Sequence, residues 1–575
     1  MLLIELSANN EKFKTVKFNP TGLSLIIAHK EDPDSTKTFN SVGKSLMIAL
    51  IHFCLGSNQK KEFKNKLKDW VFTLKYSING TDYTASRSTN EQDFIVLNGQ
   101  KKTLRLFNDF MFDQLFTHPD NENYLSFRSL ISRFIRQGKA GYTDFDKFIP
   151  KENAITQLVN NSFLLGLDVS RVIVKVNLRK EFDDIEKLRK NIENNQEFKA
   201  LFASKKVKYI DLHIQSAKEE ISKLTANIDN FIIAENYTQL KKDADEISNK
   251  LNHLRNKLTL SNLSLENISK SLKLRPDVSF EEVNNIYQQA KISFPEILKK
   301  QLIEVEHFHN SIVDERGTRL KKEKTKIEKQ LKDITEQVKF YEKEEDRILQ
   351  QLKGVGALDE YTSLNQKLSS IKSKFENLEF LKKMTTQFKN RTSEIKSEIE
   401  KENIVTNNYL DNEYALIKEE NIKIFKDIAH EFYPKSIAGI EIKNHEGNNQ
   451  IRFDIDATIN SDSGDAVGNM KLFCFDWMIL QTKHNHNVQF ILHDSRITAD
   501  VDPRQIAILL RYAYNKSKEL NTQYIIALNE NTLFNAKEYL TEDEYQNIYA
   551  CKVLKLSDLS HEEKLLGDYI EINYE

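Results

Sequence analysis

The sequence predicts an α/β domain whose two halves lie at opposite ends of the chain, separated by a long antiparallel coiled coil. Three observations predict it. An apolar run, Leu23–Ala28, is followed by Thr38-Phe39-Asn40-Ser41-Val42-Gly43-Lys44-Ser45 and then by an apolar stretch from Leu46 to Phe53. Near the other end a second apolar run, Phe490-Ile491-Leu492, finishes in His493-Asp494. Between them, apolar residues recur at alternating spacings of four and three, as coiled-coil seams do.

The first element reads as a strand, a phosphate-binding loop and the helix it opens. Such loops wrap backbone N–H groups around phosphates, and the helix N-terminus adds its partial positive charge. Asn40, Ser41, Val42, Gly43, Lys44 and Ser45 form the candidate loop. Lys44 is placed to reach the β- and γ-phosphates of ATP, and the Ser45 hydroxyl to sit on Mg²⁺. The first glycine of G-x-x-x-x-G-K-[ST] is replaced by Thr38.

Around this loop the first 170 residues read as the N-terminal half of a head. Leu2–Leu6 and Phe13–Phe18 are strand-like, and Val71–Ile78 and Tyr83–Arg87 flank Asn79-Gly80. Asn-Gly pairs are strong hairpin signals, because a type I′ turn needs positive φ at both central residues. Ile95–Leu97 leads into a second one, Asn98-Gly99, and Phe127–Gln137 reads as an amphipathic helix with a basic face.

Residues 171–271 are expected to form one coiled-coil arm, 272–320 an apex carrying Pro276 and Pro295, and 321–420 the returning arm. The first seam runs through Ile210, Ile214, Ala217, Ile221, Leu224 and Ile228, slips, and resumes from Leu240 to Leu258. The second runs from Ile327 to Leu352, meets Gly354-Val355-Gly356, and continues with Leu364, Leu368 and Ile371. At 1.5 Å per residue, arms of roughly 80–100 residues reach on the order of 130 Å.

The α/β text returns at 421–575. Gly439–Lys443 and Gln450–Ala457 read as a hairpin, Val467–Gln481 as an apolar helix, Val488–Leu492 as a buried strand, Pro503–Ser517 as a helix and Gln523–Leu528 as another buried strand. An aspartate ending a buried strand, Asp494, can hold the Mg²⁺ whose other ligand is Ser45. The polar loop around Ser463, Gly464 and Asp465, with Gly468 at the start of the helix, suits a second phosphate-facing helix N-terminus.

Composition agrees. Lys+Arg 84 against Asp+Glu 85, a net charge of -1, is the balance of neither a basic nucleic-acid binder nor an acidic tail. Sixteen glycines and eight prolines in 575 residues suit long, poorly punctuated helices. Cys54, Cys474 and Cys551 form no CxxC pair, which argues against a zinc hook and is compatible with a reducing compartment. With no run of about 18 apolar residues, no membrane segment is expected, and the cytoplasm is the expected location.

The layout resembles the ABC ATPases of the SMC group, including the RecN repair ATPases and the ATPase of the double-strand-break repair exonuclease. More closely, Ser126–Ile131, Gly356–Tyr361, Phe473–Asp476, His493-Asp494-Ser495 and Leu528-Asn529 are similar to one SMC-like branch. That branch was long catalogued as a domain of unknown function and is associated with bacterial three-component anti-phage (conflict) systems.

The resemblance implies an α/β P-loop ABC-type ATPase head split by a long antiparallel coiled-coil hairpin. It implies ATP and Mg²⁺ as cofactors, a homodimer closed through the heads, DNA as a partner, a small partner subunit and separate effector proteins. It also implies that Ser463, Gly464, Asp465 and Gly468 cap the nucleotide of the opposite subunit. Two departures bear on hydrolysis. Ser495 stands where related ATPases carry the glutamate base, and Asn529 where they carry the switch histidine. His493 is a poor substitute, since neighbouring strand residues point to opposite faces. Asp500 and Asp502 have better reach and equally suit plain helix-start acids before Pro503. Arg87 resembles the arginine that relatives aim at nucleotide or DNA, with a surface strand residue as the alternative. The Mg²⁺-contacting glutamine corresponds to Gln137, with Arg128 or no residue as alternatives. Slow, switch-like hydrolysis is expected. The rival functions are a RecN-like DNA-repair ATPase and a nucleotide-locked scaffold that does not hydrolyse.

Overall fold

The computed structural model describes residues 1–29, 42–119, 123–149, 152–194, 209–229, 235–273, 296–352, 358–459, 465–568, 570 and 572. The chain is an α/β head interrupted by long antiparallel helices. Its compact units are Met1–Asn177 with Phe280–Glu306 and Glu400–Glu575, and Leu178–Ser279 with His307–Ile399.

The centre of the first unit is a four-stranded parallel sheet. β3 (Gly22–His29) lies between two strands from the far end of the sequence, β11 (Gln523–Asn529) and β12 (Lys552–Ser557), and β10 (Phe490–His493) flanks β11. Leu23 through Ala28 are all buried. That buried run, apolar but for Ser24, is what a central parallel strand needs, since both of its faces are covered.

A six-stranded antiparallel sheet adjoins it, in the order β2-β1-β4-β5-β6-β7. Its strands are β1 (Leu2–Ala8), β2 (Val16–Lys17), β4 (Val71–Ile78), β5 (Thr81–Ser88), β6 (Phe94–Leu97) and β7 (Gln100–Thr103). The two Asn-Gly turns have positive φ at both residues, 52° and 79° at Asn79-Gly80, 47° and 83° at Asn98-Gly99. Phe13–Phe18, expected as a strand, forms only the two residues of β2, and Phe13 turns its ring onto Trp70 and Phe72 instead.

Helix α1 (Lys44–Cys54) opens directly from Gly43, and all but Ser45 of its eleven residues are buried. After it come α2 (Lys61–Lys66), α3 (Leu104–Leu115), α4 (Phe127–Ile131) and α5 (Ala154–Leu164). The expected helix over 127–137 stops at Ile131, and its basic face is a correction. Arg128, Arg133 and Arg136 are each at most 1% exposed. Arg128 donates to Leu55 O and His52 Nδ1, and Arg133 to Glu152 Oε1 and Asn161 Oδ1.

The arms comprise α6 (Val169–Asn194), α7 (Ile210–Asp229), α8 (Glu235–Lys273), α9 (Glu296–Leu352) and α10 (Leu358–Asp411). One antiparallel register runs through the second unit. Asp211 pairs with Lys382 and Ala244 with Ile348, so 33 positions forward in the first arm match 34 back in the second. Leu224 and Ile228 share a cluster with Tyr361 and Leu368, and Leu254 one with Ile334 and Val338. A further set of contacts runs parallel: Asn252 with Ser369 at 2.5 Å and Asn256 with Ser373 at 2.7 Å, with Asp245 meeting Tyr361. Helix α8 therefore lies alongside α10 as well as α9. The arms double back, between α7 and α8 and between α9 and α10, in place of the single extended pair expected. The seams within the register are apolar, whereas the fold-back contact joins Asn, Ser and Tyr side chains with Leu263, which packs on the cluster of Ile210, Ile214, Leu378 and Leu381.

The head resumes with α11 (Ala415–Phe432) and the hairpin β8 (Ala438–Asn444) and β9 (Phe453–Ile459). Buried Arg452 ties this hairpin to the roots of both arms, through Arg171 O and Asn403 Oδ1. Then follow α12 (Asp465–Thr482), α13 (Pro503–Glu519), α14 (Glu530–Ala536) and α15 (Glu542–Tyr549).

Candidate nucleotide site

Parallel sheets gather their loops at the C-terminal ends of the strands, which is where ligands of open α/β sheets bind. Here that edge collects Lys44 and Ser45 after β3, Asp494 after β10 and Asn529 at the end of β11. Gly43 is the N-cap of α1 with φ +110° and ψ 8°, a conformation that side-chain-bearing residues rarely adopt.

Two hydrogen bonds join the ends of the chain. Ser45 Oγ donates to Asp494 Oδ2 at 2.7 Å. Lys44 Nζ donates to Asn529 Oδ1. Lys44 is 7% exposed, and loss of hydration lowers its pKa from 10.5 to about 8 against the opposing pull of Asp494. Asp494 Oδ1 accepts from the Ser495 N–H at 2.7 Å and from Ser495 Oγ at 3.3 Å, while the Asp494 N–H donates to the Tyr142 hydroxyl at 2.6 Å.

Behind Asp494, His493 points into the core. Its Nε2 lies 2.8 Å from Asp476 Oδ2 and its Nδ1 2.9 Å from the Tyr524 hydroxyl. Arg136 donates to both oxygens of Asp476, at 2.5 and 2.7 Å, and to the carbonyls of Gly141, Phe145 and Lys147. Burial lowers the His493 pKa, so the imidazole is neutral and spent on structure.

The other sequence candidates fall into three groups. Gln137, adjacent to Arg136, has a buried Nε2 without a hydrogen-bond partner, so a donor is held in reserve there. Gly468 lies in the first turns of α12, and among the described residues nothing occupies the space a Cβ would fill. Asn40, Ser41, Ser463 and Gly464 lie outside the described residues, as does the side chain of Asp465, the first residue of α12.

Arg87 is a correction. It is fully buried, donates to the carbonyls of Phe53, Ser57 and Gln92, and stacks on Phe53 at 4.2 Å, so it staples β5 to the end of α1. Asp502 caps α13, accepting from the Arg504 N–H at 2.8 Å, and Asp500 is exposed with φ +58°. Among the described residues no group of three His, Cys, Asp or Glu could cage a metal, and no helix is long and apolar enough to cross a membrane. Sequence reasoning missed Tyr142 and Asp476, the residues that brace Asp494 and His493. Only the run Phe473–Asp476 hinted at the second.

Comparison with known proteins adds the following. Residues 428–569, which carry Asp494 and Asn529, match the family DUF2326, described as an uncharacterised protein conserved in bacteria. The uncharacterized protein YydD of Bacillus subtilis (strain 168) is 22% identical over 557 residues, 91% of this chain and 92% of its own. Among solved structures, the Smc head domain with a coiled coil and joint from Pyrococcus yayanosii is 16% identical, with a TM-score of 0.37, over 93% of this chain and 94% of that one. The Smc head with an extended coiled coil from Pyrococcus furiosus, bound to the C-terminal domain of ScpA, is 14% identical, with a TM-score of 0.34, over 93% and 92%.

The donor set fits Mg-ATP. A hydroxyl and a carboxylate 2.7 Å apart are two hard oxygen ligands, and Mg²⁺ is usually held by one or two protein oxygens plus phosphates and water. The buried ammonium of Lys44, donating to Asn529, adjoins Ser45 in the chain.

Proposed function

We propose that this chain is an ATP-binding head of the SMC-like ABC type, which closes head to head with a second copy around Mg-ATP. The observation that carries the reading is the convergence of Lys44 and Ser45 from one end of the chain on Asn529 and Asp494 from the other.

Bound Mg²⁺ would supply charge neutralisation at the β- and γ-phosphates. Ser45 and Asp494 would hold it, exchanging their mutual hydrogen bond for coordination. Lys44 would give its charge to the phosphates, and the Asn529 amide would be freed to orient the attacking water. Ser495 brings no carboxylate to that water, so turnover is slow and the closed state persists. The empty space at Gly468 suits close approach of the second copy's nucleotide. The hairpin of β8 and β9 also grips both arm roots through Arg452, giving nucleotide state a route to the arms.

In the setting the resemblance implies, the arms and heads sense or grip DNA in bacterial anti-phage defence, in the cytoplasm, and signal through a small partner subunit to separate effectors. Calorimetric titration with ATP and Mg²⁺, with sedimentation of the same samples, tests the reading. Binding by the wild type, its loss in Lys44→Ala and ATP-dependent dimerisation are expected. A wild type that neither binds nor dimerises overturns it. A second reading, a nucleotide-locked scaffold, is favoured by Ser495, and tightly bound, unhydrolysed ATP in purified protein would select it.

A further inference from the structure

Phosphate loops turn their N–H groups inward, so their carbonyls face outward, and a buried carbonyl needs a donor of its own. At Val42 that donor comes from the far end of the chain: the Leu565 N–H lies 3.0 Å from Val42 O. Leu565 O in turn accepts from the Lys14 N–H at 2.9 Å, and Asp568 meets Lys12 at 3.6 Å. Leu565 is fully buried, and Leu566 is 3% exposed. A Cβ added to Gly43 would lie 2.4 Å from the Leu565 Cβ, and one on Gly567 would lie 2.2 Å from Lys12 O. At Gly43 the Leu565 side chain thus leaves no room for a methyl group.

We propose that Leu565 is a positioning residue for the phosphate loop, holding the Val42 carbonyl and Gly43 so that the N–H groups opening α1 face the phosphates. The proposal rests on the nucleotide reading above. It adds a second place where the two ends of the chain complete one site.

The local backbone offers a clean test. The Gly567 N–H donates to Lys564 O at 3.0 Å, closing a four-residue turn with Leu565 in its second position, where proline is favoured. Lys564 is extended, with φ −80° and ψ 162°, as a residue before proline must be. Leu565→Pro therefore deletes the donor to Val42 O and sets the ring Cδ against that carbonyl, in a turn whose backbone suits proline. Leu566→Ala, in the same segment, removes buried apolar surface and leaves that donor in place.

Mg-ATP affinity by calorimetry and melting temperature without nucleotide are measured for both. Both variants should melt lower, and only Leu565→Pro should bind more weakly, by about tenfold. Equal affinity losses in the two, or no loss in Leu565→Pro, would overturn the proposal. If Leu565→Pro does not fold, Lys14→Pro removes the other anchor of the segment and should weaken binding in the same way. Unchanged affinity there also overturns it. A wild type that binds no ATP overturns the nucleotide reading itself, whereas a binding wild type with an unaffected Leu565→Pro overturns only the role of Leu565.

Discussion

Ser45 Oγ donates to Asp494 Oδ2 at 2.7 Å although 449 positions separate them. Because Asp494 Oδ1 is held by Ser495, Oδ2 is the oxygen that a cation would share with Ser45. Asp494→Ala should therefore weaken ATP binding in the presence of Mg²⁺, by about tenfold or more, and change it little in EDTA. Calorimetry under the two conditions checks this, and equal losses in both would remove Asp494 from the cation.

Ser495→Glu should raise hydrolysis. General-base help is typically worth about 10²–10⁴-fold in rate, and Ser495 is partly exposed beside Asp494. Steady-state phosphate release at saturating Mg-ATP is the measurement. Wild-type turnover of tens per second without DNA or partners would show that a base is already in place.

The lowered pKa of Lys44 acts on folding and on binding with opposite signs. Folded, it titrates near 8; unfolded, nearer its ordinary 10.5. The unfolded chain holds more protons between those values, so this residue's contribution to stability rises with pH across that window. Binding needs the ammonium, so ATP affinity should fall above pH 8, by up to about tenfold per unit. Proton uptake on binding at pH 9 should show in calorimetry as a heat that depends on the buffer's ionisation enthalpy.

Asp476→Ala should be among the most destabilising single changes in the head. It leaves Arg136, with 0% of its surface exposed, without its carboxylate, and breaking a buried pair in this way costs about 3–5 kcal/mol. Thermal melting of the full chain reads the loss.

Cysteine pairs test the doubling back of the arms. Ala244→Cys with Ile348→Cys should crosslink across the apolar seam, and Asn252→Cys with Ser369→Cys across the polar contact. An extended hairpin would yield only the first.

The strand at 22–29, the helix opening at Lys44, the two Asn-Gly hairpins and the Asp494 strand were legible because each is encoded locally, by an apolar run or by residues that accept positive φ. What escaped was encoded at a distance. Arg128, Arg133 and Arg136 read as a solvated face because their partners, such as Asp476 and Glu152, lie elsewhere in the sequence. β12, Lys552–Ser557, has two lysines among its apolar residues and no strict alternation to mark it as a strand, yet it pairs with β3 along its length. In the arms, Asn252, Asn256, Ser369 and Ser373 read as the wet side of a coiled coil, and the breaks near them carry no signal for which way the chain turns.

The placement of β3 between β11 and β12 has a consequence for biosynthesis. Its two neighbours begin at Gln523 and Lys552, so at 5–20 residues per second they leave the ribosome roughly 25 to 105 seconds after it. For that interval one of the most apolar strands in the chain has both hydrogen-bonding edges open, while the helices of the arms can already form. The head is thus the last part of the molecule to mature, and nascent chains stalled within the arms should be clients of chaperones that bind extended apolar segments.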